Sequence, residues 1–170
     1  MNKKRMISDL ITRRVVILDG AIGTQLHERG MPQGVSPEAW GVENPGVLEG
    51  IHREYRKAGS DILYTCTFGA NRIKLKQYHS TDVKGINTTL ARVARKACGT
   101  QGLVAGDIGP TGEFVAPFGS VPFEDMVEIY KEQARGLLKG GVDLFVIETM
   151  MNIQEARAAL IAVKEVSDLF

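Results

Sequence analysis

The stretch that decides the fold is Val142-Asp143-Leu144-Phe145-Val146-Ile147-Glu148-Thr149. Apolar residues fill five of its first six positions, the pattern of a strand covered on both faces, and it ends abruptly at a carboxylate. Three earlier stretches share this grammar. Val15-Val16-Ile17-Leu18 runs into Asp19-Gly20. Asp61-Ile62-Leu63-Tyr64 runs into Thr65-Cys66-Thr67-Phe68-Gly69. Leu103-Val104-Ala105-Gly106 runs into Asp107-Ile108-Gly109-Pro110-Thr111-Gly112. In a parallel α/β sheet the carboxyl ends of the strands are where ligands sit.

Helical signals separate the four strands. A lead-in helix is expected over 3–14, and Asn44-Pro45 places a cap and a first-turn proline at the start of a helix that Gly59 ends. A short helix is expected over 71–76 and another from near Asn87 to Ala97. In 123–139, Phe123, Met126, Val127, Tyr130, Ala134, Leu137 and Leu138 form a helical stripe. Asn152 with Glu155 three residues on has the form of a capping box for a last helix reaching Val166. Residues 20–43, rich in Gly and Pro and holding the single Trp40, read as a long functional loop.

Strands alternating with helices predict right-handed βαβ crossovers and a parallel sheet. Four such units can form a small open sheet or half of a (β/α)8 barrel. Typical barrels need about 250 residues, and the chain has 170.

The balance of 21 Lys+Arg against 20 Asp+Glu gives a net charge of +1 and no field for nucleic acid or an acidic membrane. No apolar run has the length of a membrane helix. Cys66 and Cys98 have no metal-ligand spacing, and a disulfide is not expected. The expected location is cytoplasmic.

Asp19, Asp107 and Glu148 each follow an apolar strand. Any one alone is as well read as a loop cap or an ion-pair partner, but three on one face favour a site for an amine, a cation or a metal. Asp19-Gly20-Ala21-Ile22-Gly23 is a weak phosphate motif without the full glycine pattern or a Walker lysine. It suits backbone amides approaching a small carboxylate. Thr65 and Thr67 share a strand face opposite Cys66, so either can offer a hydroxyl, or both are simply strand formers. Cys66 reads as a packing residue. His27, His52 and His79 form no catalytic pair, and no catalytic residue is assigned.

Leu18-Asp19-Gly20-Ala21-Ile22-Gly23-Thr24, Ala58-Gly59-Ser60-Asp61-Ile62-Leu63, Thr65-Cys66-Thr67-Phe68-Gly69-Ala70, Gly106-Asp107-Ile108-Gly109-Pro110-Thr111-Gly112 and Glu148-Thr149 together resemble the homocysteine S-methyltransferase family, closest to its cobalamin-dependent methionine synthase members. The resemblance implies a (β/α)8 barrel of which residues 1–170 are the N-terminal part, about four βα units, a half-barrel. It implies that Asp19, Gly20 and Glu148 hold the amino-acid end of homocysteine, that Thr67 contacts its carboxylate, and that Asp107 belongs to the same site. Cys66 stands where the family often has Asn.

It also implies zinc, bound by one late cysteine and a later adjacent pair. Neither cysteine here matches, so the ligands are expected outside the chain, which alone is expected to be inactive. Cobalamin and methyltetrahydrofolate would act through other domains. Methylcobalamin, S-methylmethionine or betaine are the implied methyl donors. A non-catalytic half-barrel that pairs with its missing half or with itself is the alternative. A phosphate-binding barrel enzyme ranks last, because its late-strand phosphate loops have no counterpart in the sequence.

Overall fold

The computed structural model describes residues 3–100 and 102–169, with side chains from Ile7 onward. The elements in order are α1 Lys3–Arg13, α2 Gly23–Glu28, α3 Pro37–Glu43, α4 Pro45–Ala58, β1 Ile62–Tyr64, α5 Arg72–Gln77, α6 Val83–Cys98, β2 Leu103–Ile108, α7 Phe123–Gly140, β3 Leu144–Ile147 and α8 Ile153–Val166. The sheet is parallel with order β1-β2-β3, so each strand lies beside its neighbour in sequence. Its register pairs Ile62 with Leu103, Tyr64 with Ala105, Ala105 with Leu144 and Ile108 with Ile147. That consecutive order is what right-handed crossovers produce when no strand is skipped.

Side chains alternate across the sheet. Leu63, Val104 and Phe145 point to a core shared with Ala94, Tyr130, Leu137 and Ala162 of the covering helices. Ile62, Ala105 and Leu144 point the other way and meet Ile7 of α1. Continuing that period of two carries Asp107 and Glu148 to the face opposite the helices.

Residues 15–18 do not form the expected strand. They lie beside β1 through one bridge, Leu18 to Ile62, and through Asp61 and Ile62 amides donating to Ile17 O at 2.7 and 3.2 Å. Val15 and Ile17 are 83% and 54% exposed, so the cover that makes an apolar run a buried strand is not supplied by the described residues. Arg14 fixes this segment instead. Its guanidinium grips both oxygens of Asp61 at 2.7 Å, and Asp61 also accepts the Ile17 amide. Those bonds hold the Asp61 carboxyl down to about 2.

Three local corrections have simple causes. The long loop contains α2 and α3, the latter capped by Ser36 accepting from the Ala39 amide. Helix α6 begins at Val83 because Asp82 accepts from the Gly85 amide; Asn87 is interior and donates to Ala70 O and Val83 O. Asn44 occupies the cap position of α4, but its amide donates back to Trp40 O.

Helices α6 and α7 approach closely at Gly136, where a Cβ would stand 2.8 Å from Asn87 Cβ and 3.0 Å from Lys84 O. Thr88 Oγ1 bonds Gly136 O across this contact at 3.0 Å.

Asn152 caps α8 as expected, but Glu155 does not complete a box. Its buried carboxylate turns under the loop after β2, accepting from Thr111 N (2.7 Å), Thr111 Oγ1 (2.6 Å) and Tyr130 OH (2.8 Å). Burial, then Glu155, pushes the Tyr130 phenol far above its ordinary range. Tyr130→Phe removes one of three donors to a carboxylate that is 3% exposed. Hydrogen bonds to charged groups are worth about 1.5–3 kcal/mol, and urea denaturation should show a loss in that range. A loss below about 0.5 kcal/mol would mean that Tyr130 only fills space.

Candidate substrate site

Two strands and the extended segment beside β1 deliver carboxylates to one place. Asp19 follows the segment beside β1, and its Oδ1 accepts the Tyr64 amide at 3.1 Å while Oδ2 is buried without a protein partner. Asp107 ends β2 with its side chain on the open face; it is 5% exposed and its Oδ1 is also unpartnered. Glu148 follows β3, anchored by its amide to Ile108 O at 3.1 Å. The next residue, Thr149, has φ 58°, a strained value for a β-branched side chain, and turns the backbone away directly after the carboxylate.

Gly20 follows Asp19 under the ring of Tyr55. A Cβ there would be 3.0 Å from the Tyr55 ring and hydroxyl, and Tyr55 OH donates to Ala21 O at 2.8 Å. The absence of a side chain is what lets the Asp-Gly-Ala backbone form one wall of the site.

The resulting cavity has a volume of about 500 Å³ and is lined by Asp19, Gly20–Gly23, Pro37, Glu38, Tyr64, Thr65, Cys66, Phe68, Asp107 and Glu148. Among the described residues it is lined by four carboxylates and by no lysine, arginine or histidine. Burial, then Glu148, Glu38 and Asp19, pushes the Asp107 carboxyl up to about 8. Burial pushes Asp19 to about 7 against the pull of the Tyr64 amide. The Cys66 thiol is driven well above its usual range by burial and by Glu38 and Asp107, so it stays protonated and is no nucleophile.

Asp19, Gly20, Asp107 and Glu148 therefore come together. Thr67 does not line the cavity. It is fully buried, 2.5 Å from Thr65 Oγ1, and donates to Asp107 O at 2.8 Å. Thr65 lines the cavity in its place, its Oγ1 accepting the Asp107 amide at 3.0 Å. Gln133 of α7 reinforces the same junction by donating to Thr67 O at 2.8 Å. Glu38 is the acid that sequence reasoning did not single out. It is held by Ser36 Oγ and the Gly69 amide, each at 2.6 Å, and no pattern in residues 20–43 marks a contact 31 positions away.

Among the described residues, no three His, Cys, Asp or Glu side chains are placed to hold a metal ion. Cys98 lies apart from the cavity, against Leu103 O. No described helix is long and apolar enough to cross a membrane.

A cavity at the carboxyl ends of consecutive parallel strands, acidic and floored by an Asp-Gly turn, is matched by a family description. Residues 16–169 fit the homocysteine S-methyltransferase model, and the chain belongs to that family. It is 32% identical over 168 residues to methionine synthase of Mycobacterium tuberculosis, an alignment covering 90% of this chain and 14% of that protein. The homocysteine methyltransferase MmuM of Escherichia coli, in its metallated form, superposes with a TM-score of 0.81 at 26% identity, over 97% of this chain and 63% of that one. Its apo form gives 0.70 at 26% identity, over 92% and 57%. The chain thus spans less than two thirds of each of these relatives.

Proposed function

We propose that this chain binds L-homocysteine in the acidic cavity as acceptor for S-methyl transfer, the reaction that forms methionine. One observation carries the reading: Asp19 beside β1, Asp107 in β2 and Glu148 after β3 bring their carboxylates to a cavity that, among the described residues, no cationic side chain lines. An α-ammonium group meets that need, with Glu148 and Asp19 as its partners and Asp107 beside them. The backbone at Gly20 and Ala21 and the Thr65 hydroxyl would receive the α-carboxylate, while Thr67 braces the strand ends. Holding both ends of the amino acid orients its sulfur toward a methyl donor, which is how positioning lowers a barrier.

A free thiol has a pKa near 8.5 and attacks as thiolate. Zinc would supply that ionisation in the family's chemistry, but the described residues do not offer it a ligand set. The part of this chain is the grip on the amino acid. We propose further that its βα units are the N-terminal part of a (β/α)8 barrel, that the zinc thiolates come from outside residues 1–170, and that the chain alone does not turn over. Methylcobalamin, S-methylmethionine and betaine remain the candidate donors.

Calorimetry tests the reading. L-homocysteine should bind, and 4-mercaptobutanoate, which keeps the thiol, the carboxylate and the chain length but lacks the amine, should not. Equal binding of both would defeat it. A second reading, a half-barrel that pairs with another copy, draws on the exposure of Val15, Ile17 and Leu18 beside β1. Sedimentation showing a dimer that does not bind homocysteine would favour it.

A further inference from the structure

Helix α4 buries a histidine directly behind the cavity. His52 is 0% exposed, and neither ring nitrogen has a protein partner within hydrogen-bond distance. Its Nδ1 lies 3.9 Å from Asp19 Oδ2, the oxygen that also lacks a partner, and both side chains are wholly buried. The other Asp19 oxygen is already occupied by the Tyr64 amide.

Burial holds the imidazole neutral, with its pKa lowered to about 4. A neutral ring carries one N–H and one lone pair. Two pairings with Asp19 are available. If Asp19 is ionised, an Nδ1–H donates to it and only the Nε2 lone pair is left unmatched. If Asp19 is protonated, it donates to Nδ1 and a buried Nε2–H is left without an acceptor. Orphaned buried N–H groups are the rarer and costlier defect. The first pairing wins, and it keeps the carboxylate charged. Tyr55, Tyr64, Cys98 and Asp107 also feel the charge of Asp19, Glu38 and Glu148 share its cavity, and none of these six is cationic.

We propose that His52 is a positioning residue for Asp19: its Nδ1–H closes on Oδ2 by about 1 Å to hydrogen-bond length and holds Asp19 ionised toward the cationic group of the ligand. The ligand rests on the function proposed above; the pairing does not.

The test uses the whole chain. In the free protein, imidazole ¹⁵N shifts should report Nδ1 protonated and Nε2 unprotonated; the reverse tautomer overturns the proposal, and this reading needs no variant. In His52→Leu, the Asp19 carboxyl followed by ¹³C NMR should titrate about one pH unit higher, a tenfold change in proton affinity. L-homocysteine affinity near pH 7 should fall about tenfold and recover as pH rises. His52→Asn, whose amide N–H can stand near the Nδ1 position, should restore both. An unchanged Asp19 titration in folded His52→Leu overturns the pairing. Failure of the native chain to bind homocysteine, with the Asp19 shift present, overturns the proposed ligand and upholds the pairing.

Discussion

Replacing Glu148 with glutamine is expected to weaken L-homocysteine binding by about 30-fold or more, because truncating one partner of a hydrogen-bonded charge pair removes 2 kcal/mol or more. The shape at the end of β3 is retained, since the Glu148 amide keeps its bond to Ile108 O and only the charge is removed. Asp107 gives an internal control. Glu148 is the charge that raises the Asp107 carboxyl most, so the same substitution should let Asp107 ionise more readily. Calorimetry reads the first effect and carboxyl NMR the second. Binding within threefold of native would remove Glu148 from the proposed grip.

Asp107→Asn should stabilise the chain by an amount that grows as pH rises from about 4 to 8. The Asp107 carboxyl is raised from 3.8 to about 8. Between those values the folded chain retains a proton that the unfolded chain has released, so the group's contribution is fully present below pH 4 and is lost as pH rises through 8. Forcing the charge into the cavity then costs about 3–5 kcal/mol, an order of magnitude from the size of the shift. Asparagine has no charge to bury. Denaturation midpoints at pH 9 should favour the variant by about 2–4 kcal/mol and at pH 4.5 by less than about 1. An equal difference at both values would place the effect in packing. Native stability should also drift downward from pH 5 to 9, as the Asp107 proton retained by the folded chain is lost. The acids that equip the cavity for a cation thus destabilise the free chain, the usual relation between a binding site and stability.

Legibility in the sequence followed the strength of local signals. The stripe from Phe123 to Leu138 fixed α7 to within one residue of 123–139, because its period is helical and Gly140-Gly141 ends it. Asp19, Asp107 and Glu148 were legible because each breaks an apolar run. Burial was harder. The interior face of α4 is Leu48, Ile51 and His52, and a histidine at a core position looks polar when read alone. Thr65 and Thr67 were correctly placed on one face, yet which hydroxyl meets the cavity depends on Asp107 backbone 40 residues away. Glu38 depended on the path of a segment whose short helices carry little periodic signal. The strand expected at 15–18 failed for a different reason: its apolar residues Val15 and Ile17 find no cover among the described residues.

The consecutive order of the sheet bears on how the protein is made. Among the described residues, β2 and β3 each settle beside a strand that has already been synthesised. Asp19 acquires its Tyr64 amide as soon as β1 has left the ribosome, whereas Glu148 emerges only after α7, the helix that seals Leu63 and Val104. Repulsion among the acids therefore reaches its full strength last, when most of the apolar burial that outweighs it is already in place.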